Sequence, residues 1–279
     1  MSIASITDPQ RSIISQFGEM TIESVAYIGG LCQFVFQTIG WLFRRMPRSE
    51  QLWPTFCEVG IRSLPVVAIT GTFIGMVLAV QTYYQFRTLG LESRLGAVIN
   101  MTLVRELGPV LAATMLAGRV GSSMAAQLGT MRVTEQIDAI SSMGASPMQH
   151  LVVPRFLACV ILIPTLTILA DFMGVMGGYF YSVTGFGIDR HFYWYNSAAF
   201  VGSWDFFSGI LKSFFFGATI AMISCYRGFN CKPGAEGVGN AATAAFVHSF
   251  VLILIEDFVL NVSMDSIFYT LWPQGASFV

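Results

Sequence analysis

Charged side chains are scarce in this sequence. Lys, Arg, Asp and Glu make up 11% of its 279 residues, whereas a typical soluble domain contains about 25%. Hydrophobic residues supply 54%, and the mean hydropathy is +0.64. This composition excludes an ordinary soluble domain and indicates a polytopic integral membrane protein. The net charge of −1 gives no indication of nucleic-acid binding.

Catalytic and metal-binding motifs are missing as well. A P-loop needs Gly-Lys-Ser/Thr to cradle phosphates, but neither of the two lysines, Lys212 and Lys232, follows a glycine. The three histidines are scattered, and the five cysteines show no CxxC spacing, so these cysteines are interpreted as free packing thiols. The adjacent Ser122 and Ser123 have no base beside them in the sequence and are interpreted as small helix-packing residues. The chain is therefore predicted to be non-catalytic, with no cofactor or metal of its own.

Five stretches are apolar and approach or exceed the ~20 residues that a bilayer crossing requires. They are residues 64–84, 99–118 (continuing as helix to 127), 151–181, 206–226 and 241–262. We expect an all-α integral membrane fold with these five transmembrane helices. Residues 1–63 form a predicted N-terminal cytoplasmic and interfacial region, and residues 64–279 form the transmembrane region, the two together making a single domain.

Two further helices are predicted to lie at the membrane surface. Residues 13–45 can form one long helix with a seven-residue polar stripe of Glu23, Gly30, Gln37 and Arg44. Such a stripe favours an interfacial helix over the alternative, a sixth span. Residues 187–205 are rich in Tyr and Trp, which is typical of a helix at the outer, periplasmic interface.

The basic residues are distributed unequally between the two sides. Because cytoplasmic loops carry an excess of Lys and Arg, the amino end is predicted to be cytoplasmic and the carboxyl end external. The cytoplasmic set is Arg44, Arg45, Arg48, Arg62, Arg132, Arg155, Arg227 and Lys232, against Arg87, Arg94 and Arg190 on the other side.

A short amphipathic helix is predicted in the second loop. Ile137 and Ile140 fall on one face, Glu135 and Asp138 fall on another, and Thr134 is a candidate N-cap. The element is too short to span a bilayer, so it suits docking of a soluble partner at the cytoplasmic surface. The predicted docking residues are Thr134, Glu135, Gln136, Ile137, Asp138 and Ile140.

Three charges fall inside separate spans at one predicted depth. At ~1.5 Å per residue, Glu106, Lys212 and Asp257 each lie roughly 10–12 Å below the outer edge. Opposite charges at one depth can pair and so reduce the cost of burial. In the alternative interpretation Lys212 extends to the interface instead. Arg105 and Glu256 are added as candidate members, with an interfacial position as the alternative for each.

Long ordered motifs give the chain a family resemblance. Residues 106–147, ELGPVLAATMLAGRVGSSMAAQLGTMRVTEQIDAISSMGASP, are followed by PRF at 154–156, paired glycines at 177–178, FGID at 186–189 and GVGNAAT at 237–243. These motifs closely resemble the MlaE-type permeases (the MlaE/TGD family), which are membrane subunits of phospholipid-trafficking ABC transporters. The resemblance covers nearly the whole chain after about residue 50.

The resemblance implies a function and a set of partners. It implies a multi-pass homodimer in the bacterial inner membrane that moves phospholipid between the inner and outer membranes and maintains outer-membrane lipid asymmetry. Two ABC ATPase subunits (MlaF-like) would bind ATP and Mg below, and an MCE-domain hexamer (MlaD-like) would sit on the periplasmic side. A STAS-domain protein (MlaB-like) is an optional further subunit. The resemblance also makes residues 134–140 a coupling helix, and it marks Glu106, Lys212 and Asp257 as functionally important.

A lipid substrate needs an apolar cavity with a polar place for its headgroup. Leu78, Gln81, Tyr83 and Tyr84, at the outer end of the first span, would line such a cavity if that helix faces the dimer axis. Otherwise they are ordinary lipid-facing or belt residues. Two other function classes stay open at this point: a membrane anchor or scaffold, and a secondary transporter of another hydrophobic substrate.

Overall fold

The computed structural model describes residues 13–44 and 49–271, and every regular element in these two ranges is helical. The α-helices are α1 Ile13–Arg44, α2 Ser49–Phe56, α3 Leu64–Leu89, α4 Leu95–Thr102, α5 Gly108–Leu116, α6 Ser122–Val133, α7 Gln136–Ser142, α8 Val153–Thr184, α9 Arg190–Phe200, α10 Ser203–Phe229 and α11 Ala235–Leu271. Four π-helical turns join some of them, at Cys57–Ile61, Leu103–Leu107, Ala117–Gly121 and Met148–Val152, and Glu92–Arg94 is a 3₁₀ turn.

Six helical stretches of the described chain are long and apolar enough to cross a membrane. Five of them contain the predicted spans: Leu52–Leu89, Leu95–Val133, Met148–Thr184, Ser203–Phe229 and Ala235–Thr270. An all-helical, multi-pass architecture is therefore confirmed. The observed helices are longer than the predicted spans. The predicted spans end where polar residues begin, whereas the helical backbone continues through those residues.

The sixth stretch, Val25–Arg44, lies within α1, where an interfacial helix is predicted. Tyr27 packs edge-on against Tyr226 with ring centroids 5.4 Å apart, and Phe34 packs against Tyr226 and Phe229, so α1 contacts the last turns of α10. The arrangement of five spans with an interfacial α1 stays a prediction, as does the division of the chain at residue 63. The predicted end of this helix at residue 45, and Arg48 of the basic set, lie outside the described residues.

Small residues allow a close helix crossing between α3 and α8. A Cβ atom at Gly75 would collide with the carbonyl of Gly174, and one at Gly177 would collide with the carbonyl of Thr72. Backbones that approach this closely gain van der Waals contact, which is the main packing force within a membrane. The main apolar core lies beside this crossing, between α5, α6, α8 and α10. It includes Leu116, Met124, Leu128, Ile163, Leu166, Phe216 and Ile220.

The predicted second surface helix is α9. Asp189 caps its first turn, because the Asp189 side chain accepts a hydrogen bond of 2.6 Å from the His191 backbone N–H. Tyr193 is fully buried, and burial raises its pKa to about 12, so its hydroxyl stays protonated. That hydroxyl donates to Asn100 Oδ1 at 3.2 Å, while Asn100 Nδ2 donates to the Ser197 hydroxyl at 2.8 Å. These bonds attach α9 to α4.

Candidate functional site

Lys212 is the most deeply buried charge among the described residues. It lies in the first half of α10, and its side chain is 1% exposed. The ammonium Nζ is 3.0 Å from Glu106 Oε2 and 3.3 Å from Asp257 Oδ1, so α10 contributes the cation and two other spans contribute the carboxylates. The structure thus brings together the three charges that the sequence places at one depth, and Lys212 does not extend to a membrane surface.

A π-helical turn shapes this site. Glu106 lies on the turn Leu103–Leu107, and Lys212 Nζ donates to the backbone carbonyl of Arg105 at 3.1 Å. Gly209, one turn before Lys212, packs against the backbone of Val104, and a Cβ atom there would collide with the Val104 carbonyl. The close approach of α10 to the turn therefore places the ammonium within reach of a backbone acceptor. Such π-helical turns occur frequently at functional sites.

Asn261 connects the charged groups, and sequence reasoning missed it. Its Oδ1 accepts a hydrogen bond from Lys212, and its Nδ2 donates to Glu106 Oε2 at 2.8 Å and to Asp257 Oδ2 at 3.2 Å. Asn261 follows Asp257 by four residues on α11, so the two side chains share one helix face. That spacing is the signal that could have identified it.

Arg105 lies beside the group and continues it through further ion pairs. Its guanidinium is 3.6 Å from Glu106 and 3.8 Å from Asp205, and it also pairs with Asp265. Neither Asp205 nor Asp265 is among the cluster members that the sequence predicts. We define the charge cluster as Arg105, Glu106, Asp205, Lys212, Asp257, Asn261 and Asp265. Its two cations and four carboxylates give an excess of two negative charges.

Glu256 does not join the charge cluster, so its predicted membership is wrong. It accepts a hydrogen bond from Thr219 and lines a separate pocket with Leu31, Val35 and Ile39 of α1. The reason is geometric, because one residue turns ~100° around a helix of 3.6 residues per turn. When Asp257 faces Lys212, Glu256 therefore faces away.

The predicted docking helix corresponds to α7, Gln136–Ser142. Ile137 is buried, Ile140 is half-buried, and Glu135 and Asp138 are exposed. Asp138 forms an ion pair of 2.6 Å with Arg132 of the same chain. The structure therefore separates the apolar and acidic faces as the pattern predicts, although Arg132 already occupies one side of Asp138.

The predicted capping of this helix by Thr134 is wrong. Thr134 is the residue that ends α6, and its hydroxyl donates to the Thr130 carbonyl at 2.8 Å. The chain then turns at Glu135, which adopts a left-handed conformation with φ of 59° and precedes α7 directly. Because α6 continues to Val133, the threonine completes the preceding helix instead of starting the next one.

The four predicted cavity residues divide into two pairs. Leu78 and Tyr83 pack inward against Leu95 and Ile99, and the Tyr83 ring stacks on Phe186 with centroids 3.7 Å apart. Gln81 and Tyr84 are exposed.

A separate apolar pocket of about 390 Å³ lies deeper and is lined by other residues of α3, including Thr70, Gly71 and Ile74, together with residues of α5 and α11. The assignment of Leu78, Gln81, Tyr83 and Tyr84 to a lipid cavity stays a prediction. Within the described ranges, no three His, Cys, Asp or Glu side chains are grouped so that they could hold a metal ion.

The structure is a multi-pass helical membrane protein with ion pairs buried between its spans, and such intramembrane charges are costly and usually functional. The chain belongs to the MlaE permease family, since the family model described as Permease MlaE matches residues 52–263. It is therefore an ABC transporter permease, a type of subunit that is not itself catalytic.

Individual relatives match most of the chain. A probable ABC transporter permease protein of Rickettsia felis is 39% identical over 250 residues, covering 90% of this chain and 96% of the relative. The intermembrane phospholipid transport system permease protein MlaE of Haemophilus influenzae is 33% identical over 260 residues, covering 91% and 97%. Protein TRIGALACTOSYLDIACYLGLYCEROL 1, chloroplastic, of Arabidopsis thaliana is 39% identical over 204 residues, covering 73% and 58%.

Proposed function

We propose that this chain is the permease of an ABC transporter that moves phospholipid between the inner and outer membranes and so maintains outer-membrane lipid asymmetry. The name of the Haemophilus influenzae relative supports the choice of phospholipid as substrate. The observation that carries the proposal is Lys212, which is buried between two carboxylates inside the spans. A membrane anchor has no need of such charges, whose burial is costly.

The charge cluster has two roles in the proposed mechanism. Its ion pairs hold the second, fourth and fifth of the predicted spans together at one depth. Its partly exposed carboxylates, such as Glu106 and Asp265, also provide a polar surface inside an otherwise apolar region. A phospholipid headgroup could lie against this surface while the acyl chains contact apolar side chains.

An exposed stripe on α3 supports a cavity between two copies of the chain. Ile69, Phe73 and Val77 are 58–60% exposed and continue along the same helix face to Gln81 and Tyr84. The stripe is apolar along most of its length and polar at its outer end, as a site for acyl chains and a headgroup requires. In the homodimer, the two stripes would face each other, with Leu78 and Tyr83 supporting them from behind.

The transporter draws its energy from a partner in this proposal. ATP and Mg would bind an MlaF-like ABC ATPase and not this chain, and α7 would rest in a cleft of that ATPase. Ile137 is buried against the permease, so movement of α7 would pass directly into α6 and the adjoining spans. Thr134, Glu135, Gln136, Asp138 and Ile140 complete the proposed coupling surface.

The proposed assembly is a homodimer in the bacterial inner membrane with its amino end in the cytoplasm. An MlaD-like MCE hexamer would receive or deliver lipid on the periplasmic side, and an MlaB-like STAS protein would be an optional subunit on the ATPase. The excess of basic residues on the α7 side of the spans supports this orientation.

Reconstitution tests the proposal. The purified transporter would be placed in proteoliposomes with fluorescent phospholipid, and acceptor vesicles would be added with ATP or with a non-hydrolysable analogue. We expect copurification of an ATPase and transfer of lipid that requires hydrolysis. An ATPase that copurifies without any ATP-dependent lipid transfer would contradict a transport role and indicate a membrane anchor.

A further inference from the structure

A second group of charged residues lies well away from the charge cluster. A polar pocket of about 200 Å³ is bounded by the π-helical turn Cys57–Ile61, α6 and α8. We name it the arginine pocket, because Arg62, Arg119 and Arg155 line it against a single carboxylate, Glu58. Three cations and one anion leave two positive charges in excess, the opposite of the balance in the charge cluster.

None of these three arginines forms an ion pair within 4 Å in the part of the chain that the structure describes. Arg119 donates to the Ser63 hydroxyl. Arg155 donates to the Leu151 carbonyl at 2.8 Å and to Gln127 Oε1 at 3.3 Å. A guanidinium carries five N–H donors, so each of these arginines keeps donors available for a ligand.

The single carboxylate of the pocket is held away from the arginines. Glu58 Oε1 accepts a hydrogen bond from Gln127 Nε2, while the other end of the same amide accepts from Arg155. Gln127 therefore bonds to both Glu58 and Arg155 and lies between the two charges. Glu58 and Arg119 each lie on a π-helical turn, as Glu106 does in the charge cluster.

The arginine pocket lies near the opposite membrane surface. Arg119 follows Glu106 by thirteen residues on the same span, which is ~20 Å at ~1.5 Å per residue. Since Glu106 is predicted to lie roughly 10–12 Å below the outer edge, Arg119 is placed near the other boundary of a hydrocarbon layer ~30 Å thick. The phosphates of lipids in the α7-side leaflet lie just beyond that boundary.

We propose that the arginine pocket binds the phosphate of a phospholipid headgroup from the leaflet on the α7 side. Arginine presents a planar fork of donors that matches phosphate oxygens in a bidentate manner. The pocket is several times larger than the ~30 Å³ share of one water molecule, so a phosphate group fits while acyl chains stay outside. The inference deepens the proposed function: it gives the permease a headgroup site at each membrane surface.

Equilibrium binding to the purified transporter in detergent tests the inference. The probes are dihexanoyl phosphatidylglycerol, dihexanoylglycerol, which has the same chains but no phosphate, and inorganic phosphate. We expect Arg119→Ala and Arg155→Ala each to weaken binding of the phospholipid roughly tenfold. Arg190→Ala removes an arginine at the start of α9, outside both charged sites, and should leave the affinity unchanged. The affinity for dihexanoylglycerol should be the same in Arg119→Ala as in the unaltered protein.

A gain of affinity separates ligand binding from misfolding. Glu58→Gln keeps an acceptor for the Gln127 amide but removes the only negative charge of the arginine pocket. We expect this variant to bind the phospholipid several-fold more tightly, a result that a damaged fold cannot produce.

Competition between inorganic phosphate and the phospholipid shows whether the ligand is a lipid headgroup or free phosphate. If excess inorganic phosphate fails to displace the phospholipid, the ligand is a lipid headgroup, as proposed. Displacement at equal concentration would overturn the lipid assignment and make the pocket a site for free phosphate. If Arg119→Ala, Arg155→Ala and Glu58→Gln all leave the phospholipid affinity unchanged, the arginine pocket does not bind the headgroup phosphate. Because binding is measured without ATP, a failure here is distinguishable from a failure of lipid transport.

Discussion

At the scale of single residues, the environment of Lys212 explains how a charge is retained inside the spans. An ammonium has three N–H donors, and Lys212 has acceptors on Glu106, Asn261, Asp257 and the Arg105 backbone within reach. Removing one partner of a buried pair typically costs about 3–5 kcal/mol, because the other charge is left uncompensated. Loss of one charged member is therefore expected to destabilise the cluster.

Asn261 provides a residue-scale prediction. Asn261→Leu keeps a similar volume but removes the amide that bonds Lys212, Glu106 and Asp257. We expect the free energy of unfolding to fall by about 1–3 kcal/mol, because hydrogen bonds to charged groups are lost at a half-buried position. Thermal unfolding in detergent measures this change. The exposed Asn240 of the same helix is the control, and an equal effect of Asn240→Leu would show that Asn261 has no special role.

The residues of the charge cluster show what sequence can and cannot predict at this scale. Glu106, Lys212 and Asp257 are conspicuous because charges are rare within apolar spans, and helix rise alone places them at one depth. Asn261 is neutral and escapes a search for charges. Glu256 is charged but faces another side of α11, and only the rotation of the helix in the bundle decides between adjacent residues.

At the scale of helices, α7 has the length and the two faces that the sequence pattern predicts, but its start differs. Amphipathic spacing depends on residues three and four apart, and these stay in place when a boundary moves. The position of a helix boundary, in contrast, depends on one or two backbone angles. Here the chain turns at Glu135, which has a positive φ. Glutamate rarely adopts this conformation, so the sequence does not indicate a turn there. The predicted faces are therefore found, whereas the predicted Thr134 cap is not.

Charge reversal on α7 tests its proposed role. Glu135→Lys combined with Asp138→Lys should release the ATPase while the permease dimer stays in the membrane, because like charges would face the basic residues expected on the partner. Copurification and ATPase activity are the measurements.

The control for this experiment is Arg132→Ala, which breaks the pair with Asp138 inside the chain but keeps both carboxylates. The ATPase should remain bound to this variant. A doubly reversed variant that still assembles with normal ATPase activity would contradict the docking assignment.

At the scale of the whole molecule, hydropathy identifies five of the six candidate spans and leaves α1 undecided. Composition alone does not separate a helix that crosses a bilayer from one that lies along it, because Val25–Arg44 has the length for either. Its contacts with Tyr226 and Phe229 are made near the end of α10, next to the loop that precedes α11. Ile39 of the same helix also lines a pocket with Thr219 and Glu256, so the contacts of α1 extend further along α10 and α11. The polar stripe of α1 is therefore the feature that favours an interfacial position.

Labelling of single cysteines decides the topology. On a background without native cysteines, cysteines at Thr21 and Phe43, near the two ends of α1, should both react with an impermeant reagent from the cytoplasm. A cysteine at Asn230 should react from the same side, and one at His191 should react from outside. Labelling of Thr21→Cys and Phe43→Cys from opposite sides would show that α1 crosses the membrane and that the chain has six spans.

A double-mutant cycle of Lys212 and Asp257, measured by ATP-dependent lipid transfer in proteoliposomes, tests the central claim most directly. Lys212→Ala should strongly reduce transfer, whereas Arg190→Ala should leave it near normal. Lys212→Ala combined with Asp257→Asn should be less damaging than the sum of the single changes, with a coupling energy of roughly 0.5–3 kcal/mol, because neither charge is then unpaired. Additive effects of the two changes, or near-normal transfer by Lys212→Ala, would contradict a paired and functional charge cluster.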